Sequence, residues 1–320
     1  MAVSGAFLFL FVTFHALMNG VALFWPTAYN EVCLMLGANW YALIGTVVIA
    51  AFVVLHIVYA SWLTIQNRKA RGVERYAETS RPKQVECSSK NMFVLGVVVI
   101  AFLVIHLIQF WSKMQLAEIL HCNVVDASTQ ETVPPAAGTW FLQIAFSNPL
   151  TLVVYLIGFI ALWFHLNHGF WSMFQSVGWD STVWIPRLKK IALWWTSIVV
   201  LLFIAQAIVF TVKAHDNYYK TDPTLRMQYK EMLVPMFEKD FGPDAAQAIN
   251  AAPYEQMEQM MRGTLSQMEN PEAQAYFQND PEFPKRYECV KNTVALLDYL
   301  SVDEAPAADI VPNNMQSPNK

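Results

Sequence analysis

Seven histidines occur in the 320-residue chain, and four of them, His15, His56, His106 and His165, lie in stretches with almost no other ionisable side chain. A metal-binding or titratable group inside an apolar span marks a functional site by default, because it is costly there without a partner, and neutral imidazole is the commonest metal ligand among side chains. One such histidine could equally be a core residue satisfied by a neighbouring carbonyl. Four, one in each of four successive apolar stretches, point to a shared task.

The elements that position them follow from composition. Only 14% of the residues are charged and 55% are hydrophobic, against roughly 25% charged in soluble domains. Lys and Arg number 11 up to Lys190 and 10 from Lys213 onward, whereas Asp and Glu number 8 and 17 across the same line. The first two thirds is nearly charge-free and the last third acidic. A single soluble globular enzyme is excluded, and the net charge of -4 without a dominant basic patch excludes a nucleic-acid binder. Five stretches, about 3–24, 40–66, 91–112, 149–176 and 189–212, match the ~20 apolar residues that a membrane-crossing helix needs. Asn148 and Pro149 fit an N-cap and first-turn proline, Gly178 follows the fourth span, and Pro186 opens the fifth. The first span has no basic n-region or small-residue cleavage site and reads as a retained helix.

Basic residues set the expected orientation. Arg68, Lys69, Arg71, Arg75, Arg81, Lys83 and Lys90 crowd the second connection, and Arg187, Lys189 and Lys190 the fourth; the first has none and the third only Lys113. The N-terminus is then cytoplasmic and the tail after about His215 external. The expected fold is all-α: a five-transmembrane-helix bundle over residues 1–214, an acidic, Met-rich helical tail over 215–303 and a disordered end over 304–320.

Depth sorts the histidines. In an outward-running third helix, His106 stands about nine residues, or roughly 13 Å, from the external end. In the inward-running second and fourth helices, His56 and His165 each stand about 16 residues, or roughly 24 Å, below it. His15 fits the outer level with His106. Two imidazoles at one depth on different helices can supply both axial nitrogens of a six-coordinate haem iron. Two such levels describe two stacked b haems, non-covalent because no C-x-x-C-H attachment motif occurs. With no open iron position, they would move electrons rather than bind oxygen.

Other residues fall near these levels. Gly158, seven residues before His165, lacks the side chain that would keep a haem edge away, or is ordinary small-residue helix packing. Asn19, one turn past His15, could hydrogen-bond a ligand or a propionate. His168 shares a face with His165 and could replace it as ligand or reach an inner propionate. Arg68 and Arg71 are further propionate candidates or simply topology determinants.

The strings FHALMNGVALFW from Phe14, HIVYASWLTIQNRKAR from His56, HLIQFW from His106 and HLNHGFWSMFQ from His165 resemble the dihaem cytochrome b anchor of succinate:quinone oxidoreductases, the succinate dehydrogenases and fumarate reductases with a single five-helix anchor. The resemblance covers about Ala6 to Ala214. It implies His15 with His106 at the outer iron and His56 with His165 at the inner one, His165 being the histidine four before Gly169. It further implies an iron-sulfur subunit and a flavoprotein with FAD on the cytoplasmic side of a bacterial inner membrane. The anchor would pass electrons between the iron-sulfur clusters and a quinone of the menaquinone class, within the respiratory chain and tricarboxylic acid cycle; dimerisation of the complex is compatible with it. Some family members carry a glutamate two residues before the fourth ligand, where Trp163 stands here.

Quinone chemistry at the outer level calls for a proton donor near the external surface. Glu31 in the first connection is the nearest carboxylate by position and Glu118 the next; either could be a solvated loop residue. In the tail, short helices are divided by Pro223, Pro243, Pro253, Pro271, Pro281 and Pro284, with helical spacing at Met232, Met236 and Phe237 and at Met257, Met260 and Met261. Adaptable packing suits these methionines better than copper binding. A disulfide among Cys33, Cys122 and Cys289 is compatible with the topology, as are unpaired thiols; Cys87 falls on the cytoplasmic side. The alternatives are an anchor for another oxidoreductase, which usually draws more than one ligand from a single helix, and a transporter or scaffold without cofactor.

Overall fold

The computed structural model describes residues 1–37, 39–71, 87–120, 124–125, 132–232, 242–244, 254–277 and 280–301. The described chain is helical apart from a minimal pairing of Val124–Val125 with Thr132–Val133. Five of its helices are long and apolar enough to cross a membrane, so the chain has the make-up of a multi-pass membrane protein. They are α1 (Ala2–Phe24), α3 (Trp40–Arg71), α4 (Cys87–His106), α7 (Pro149–Ser176) and α8 (Trp184–His215). α4 continues through a π-helical turn, Leu107–Trp111.

Local chemistry explains the ends of these helices. Pro149 occupies the first turn of α7, where its missing N–H is no loss, and Asn148 Oδ1 accepts from Leu150 N at 2.9 Å. At the other end Gly178 takes φ +88°, so Gly178 N can donate to Gln175 O (3.1 Å) and Trp179 N to Phe174 O (3.0 Å). The Phe174 and Trp179 rings stack across this Schellman turn, 5.6 Å apart. α3, with 32 residues, is about 48 Å long and overruns a ~30 Å hydrocarbon core, which carries Arg68 and Lys69 toward its end. The fifth span starts at Trp184, so Pro186 lies inside its first turn.

α7 packs against α8, α4 and α1, while α3 leans chiefly on α1. Phe159 of α7 stacks on Phe203 of α8 at 5.3 Å. Polar side chains join the apolar helices: Gln206 Nε2 donates to Ala16 O (2.8 Å) and Trp163 Nε1 to Ser197 Oγ (3.0 Å). Among the described side chains of α3 only Ala42 is buried, and none is over 91–111. Val47, Val54, Leu55, Val58 and Trp62 of α3 and Val94, Val97 and Val104 of α4 are exposed apolar side chains, suited to contact with lipid.

Short helices occupy described parts of the first and third connections. α2 (Pro26–Met35) and α5 (Gln115–Leu120) take up parts of the first and third, and α6 (Gly138–Phe146) is a short helix in which only Ile144 escapes full burial. Glu31 and Cys33 therefore lie on α2, and Glu118 on α5, rather than in irregular loops.

Contacts divide the chain into two units, Met1–Val124 with Pro135–Leu225, and Val125–Pro134 with Arg226–Lys320. α9 (Tyr218–Thr221) and α10 (Pro223–Glu231) follow the last span, so the first unit runs past residue 214. In the second unit α11 (Tyr254–Glu269) packs on α13 (Phe283–Ser301), with α12 (Pro271–Tyr276) between them in sequence. Met257 and Met261 share the buried face with Cys289, Val290 and Val294, while Met260 is exposed. Met236, Phe237, Cys122 and the end over 304–320 lie outside the described residues, as do Arg75, Arg81 and Lys83.

Candidate functional site

α1 and α4 bring His15 and His106 together, with ring centroids 5.7 Å apart. α3 and α7 do the same for His56 and His165 at 6.2 Å. Metal–imidazole bonds are about 2 Å long, so two imidazoles on opposite sides of one metal ion have nitrogens about 4 Å apart and ring centres about 6 Å apart. All four rings are half-buried within the bundle. Gly5 and Gly96 flank the second pair: a Cβ on either would meet Cε1 of His56 or of His165 at an ordinary contact distance of 3.7 Å.

Hydroxyl groups favour one tautomer in two of the rings. Ser4 has one hydroxyl hydrogen and donates it to Met1 O (3.1 Å), so its oxygen accepts from His56 Nδ1 at 3.1 Å. Tyr155 likewise donates to Gln109 Oε1 (2.8 Å) and accepts from His106 Nδ1 at 3.3 Å. In both rings the Nε2 lone pair is left available, which is the arrangement of a neutral imidazole that binds metal through one nitrogen and is held through the other. Asn19 Nδ2 stands 3.3 Å from His15 Nε2 and also donates to His15 O at 2.9 Å; its Oδ1 accepts from Tyr29 at 3.1 Å. His165 Nδ1 is buried with no hydrogen-bond partner.

The remaining residues spread out. His168 packs edge-on against Trp171 at 4.8 Å, and Lys189 Nζ stands 4.3 Å from the centre of the same indole. Arg68 is placed over the Phe93 ring at 5.6 Å, tying the end of α3 to α4. Arg71 ends α3, and its side chain lies outside the described residues. At Gly158 the space is taken by protein: an added Cβ would come within 2.6 Å of Phe102 Cδ2, so the glycine admits the ring of Phe102 from α4 and not an open gap. Glu31 is exposed on α2. Glu118 lies against Gly37, where a Cβ would stand 2.5 Å from its Oε2.

On α2 beside Gly138, Tyr29 is buried and Cys33 half-buried. Burial pushes the Cys33 thiol from 9.0 up to about 12, offset in part by hydrogen bonds from Tyr29 and the Gly138 backbone. Burial and then the Cys33 charge push Tyr29 well above its usual value. Both remain protonated at neutral pH.

Ser4, Tyr29, Gln109 and Tyr155 have no part in the sequence reading of the site, though Ser4, Gln109 and Tyr155 carry the available signal, a polar atom inside an apolar span. No family model, curated protein or solved structure matches the chain.

The donor set limits what can be held. Among the described residues no three His, Cys, Asp or Glu converge on one point, so a bare metal ion would find too few ligands. A porphyrin brings four nitrogens of its own and asks the protein for two, which each histidine pair can supply.

Proposed function

We propose that the chain is the membrane-anchor cytochrome b subunit of a succinate:quinone oxidoreductase, a succinate dehydrogenase or fumarate reductase, and carries two b haems. The observation that bears most weight is the juxtaposition of two histidine pairs, each drawn from two different membrane helices, at 5.7 and 6.2 Å. His15 and His106 hold the outer haem, and His56 and His165 the inner one. A haem held by two imidazoles supplies a one-electron ferric/ferrous couple with no vacant coordination position.

The protein's own part is to fix those rings. Ser4 and Tyr155 accept the Nδ1 hydrogens of His56 and His106, and so orient Nε2 and raise its basicity. Apolar helices around both pairs exclude water, which favours electron transfer over side reactions. The basic second connection faces the cytoplasm of a bacterial inner membrane, where an iron-sulfur subunit and an FAD-bearing flavoprotein dock and dicarboxylate chemistry takes place. The electron partner in the lipid is a quinone of the menaquinone class, and the acidic tail is external.

Purified protein tests this directly. The expected haemochrome spectrum counts two b haems per chain, and His56→Ala should leave one. Wild-type protein with no haem would overturn the proposal, and a spectrum untouched by His56→Ala would remove the inner site.

A further inference from the structure

A stripe of exposed residues runs up α8 from Trp184 through Arg187, Ile191, Trp194 and Ile198 to Leu201. The steps alternate between three and four residues, which keeps all of them on one face of the helix. Its apolar members are 48–71% exposed. Lys190, also exposed, stands one turn beyond Arg187. We infer that this face binds an anionic phospholipid, with Arg187 and Lys190 holding the phosphate and an acyl chain lying along Ile191, Trp194 and Ile198. The lipid site is separate from the proposed electron-transfer function and does not depend on haem.

Charge fixes the sign of the ligand. Side chains three residues apart on a helix are neighbours, and like charges at that spacing repel, so Arg187 and Lys190 are costly together without an anion between them. Both stand in the first two turns of α8, where the helix macrodipole also disfavours cations, and no acidic residue lies in the first turn. Asp180 is the only carboxylate in residues 149–215. Among the described residues no hydrogen bond or ion pair engages Arg187 or Lys190. Arg187 instead stands over the Trp184 ring at 5.4 Å, a cation–π contact that leaves its N–H donors available to a phosphate. Lys189 differs, since its Nζ is held 4.3 Å from the centre of the Trp171 ring on α7. The backbone at this end of α8 is already engaged: Trp184 N donates to Ser181 Oγ and Ile185 N to Ser181 O, both at 3.1 Å, and Pro186 has no N–H. Recognition therefore falls to the side chains.

Shape makes the anion a lipid. From Arg187 to Ile198 the helix rises roughly 16 Å, about half of a ~30 Å hydrocarbon core, which is the depth an acyl chain covers in one leaflet. A free phosphate would leave the apolar part of the stripe bare. An acidic soluble protein could reach the two cations but not Trp194 and Ile198 within the hydrocarbon. The turn before α8 also exposes Val177 (61%), Trp179 (58%) and Val183 (56%). Such side chains suit the headgroup level of a bilayer, where tryptophans collect.

The test titrates full-length protein in detergent with phosphatidylglycerol or with phosphatidylcholine of the same acyl chains, and counts bound lipid by native mass spectrometry. Wild type should prefer phosphatidylglycerol roughly thirtyfold, because each of two cations contributes a factor of about five. The double variant Arg187→Gln, Lys190→Gln should lose that preference while binding phosphatidylcholine as wild type does, which also shows that it is folded. Lys113→Gln, which removes a cation from another connection, should keep the preference. Glycerol 3-phosphate, the headgroup chemistry without chains, should not compete at equal concentration. Absence of preference in wild type overturns the inference, and is the result a protein occupant of this face would give. A preference retained by the double variant, an equal loss in Lys113→Gln, or competition by glycerol 3-phosphate overturns it as well. Lipid is counted whether or not haem is bound, so failure here and failure of the electron-transfer function are read separately.

Discussion

A hydroxyl with a single hydrogen bears on which nitrogen of His56 carries the proton. Ser4 spends its hydrogen on Met1 O, so Nδ1 must donate to it. Ser4→Ala removes that acceptor and frees the ring to rotate. If the pair holds a haem, loss of such an outer partner should weaken retention about 10-fold to 100-fold, visible as faster release of one haem to apomyoglobin while the other stays; equal release of both would show that Ser4 has no such role. Cys33 supplies a second residue-scale outcome. With its thiol at about 12, the thiolate fraction at pH 8 is lower than that of an ordinary cysteine by on the order of a thousandfold. Alkylation by iodoacetamide should be slower by a comparable factor in the folded protein and recover on denaturation; the linkage sign is that burying the neutral thiol stabilises the fold below about pH 9 and ceases to do so as pH rises toward 12. The two pairings of histidines are legible in the sequence because helical rise converts residue number into depth. Their hydroxyl partners are not, because rotation of a helix that is apolar all round leaves no periodic mark.

The least legible element is α6. GTWFLQIAF is too short for a membrane span and has no polar face, so its sequence reads only as part of a connection. Burial is what makes it a helix: Trp140, Phe141, Leu142 and Gln143 are all at most 2% exposed. No side chain of its own caps its first turn. Asn30 of α2 does so from outside, accepting from both Thr139 N and Thr139 Oγ1 at 2.9 Å. At the far end of α6, Gln143 Nε2 donates to Ala214 O at 2.6 Å and closes the last turn of α8. Asn30→Ala leaves two buried donors without this acceptor, so a loss of about 2–4 kcal/mol is expected. Thermal unfolding in detergent should register it, and a midpoint unchanged from wild type would mean water replaces the amide. The glycines divide in the same way. Gly178 is readable as a helix stop and does take positive φ, whereas the role of Gly158 depends on Phe102 from another helix, which no local pattern names.

For the whole molecule, the distribution of charge governs orientation more than any contact does. Seven basic residues, Arg68, Lys69, Arg71, Arg75, Arg81, Lys83 and Lys90, lie from the end of α3 to the start of α4, and Arg187, Lys189 and Lys190 lie in the first turns of α8, while the stretch from α1 through α2 to the start of α3 carries none. Moving these basic stretches across the membrane during insertion is the unfavourable choice, so the proposed orientation has the ends of α3 and α7 on the cytoplasmic side. With five spans, that orientation would put the end of α8, and everything after His215, on the opposite side. Protease added to intact spheroplasts should therefore remove the tail and spare the second connection, and inverted vesicles should show the reverse. A tail protected in spheroplasts would invert the whole arrangement. It would carry the His56 and His165 pair to the outer face, and with it the proposed docking side of the iron-sulfur partner, since that pair is nearer the basic connections by about 10 Å of helix rise.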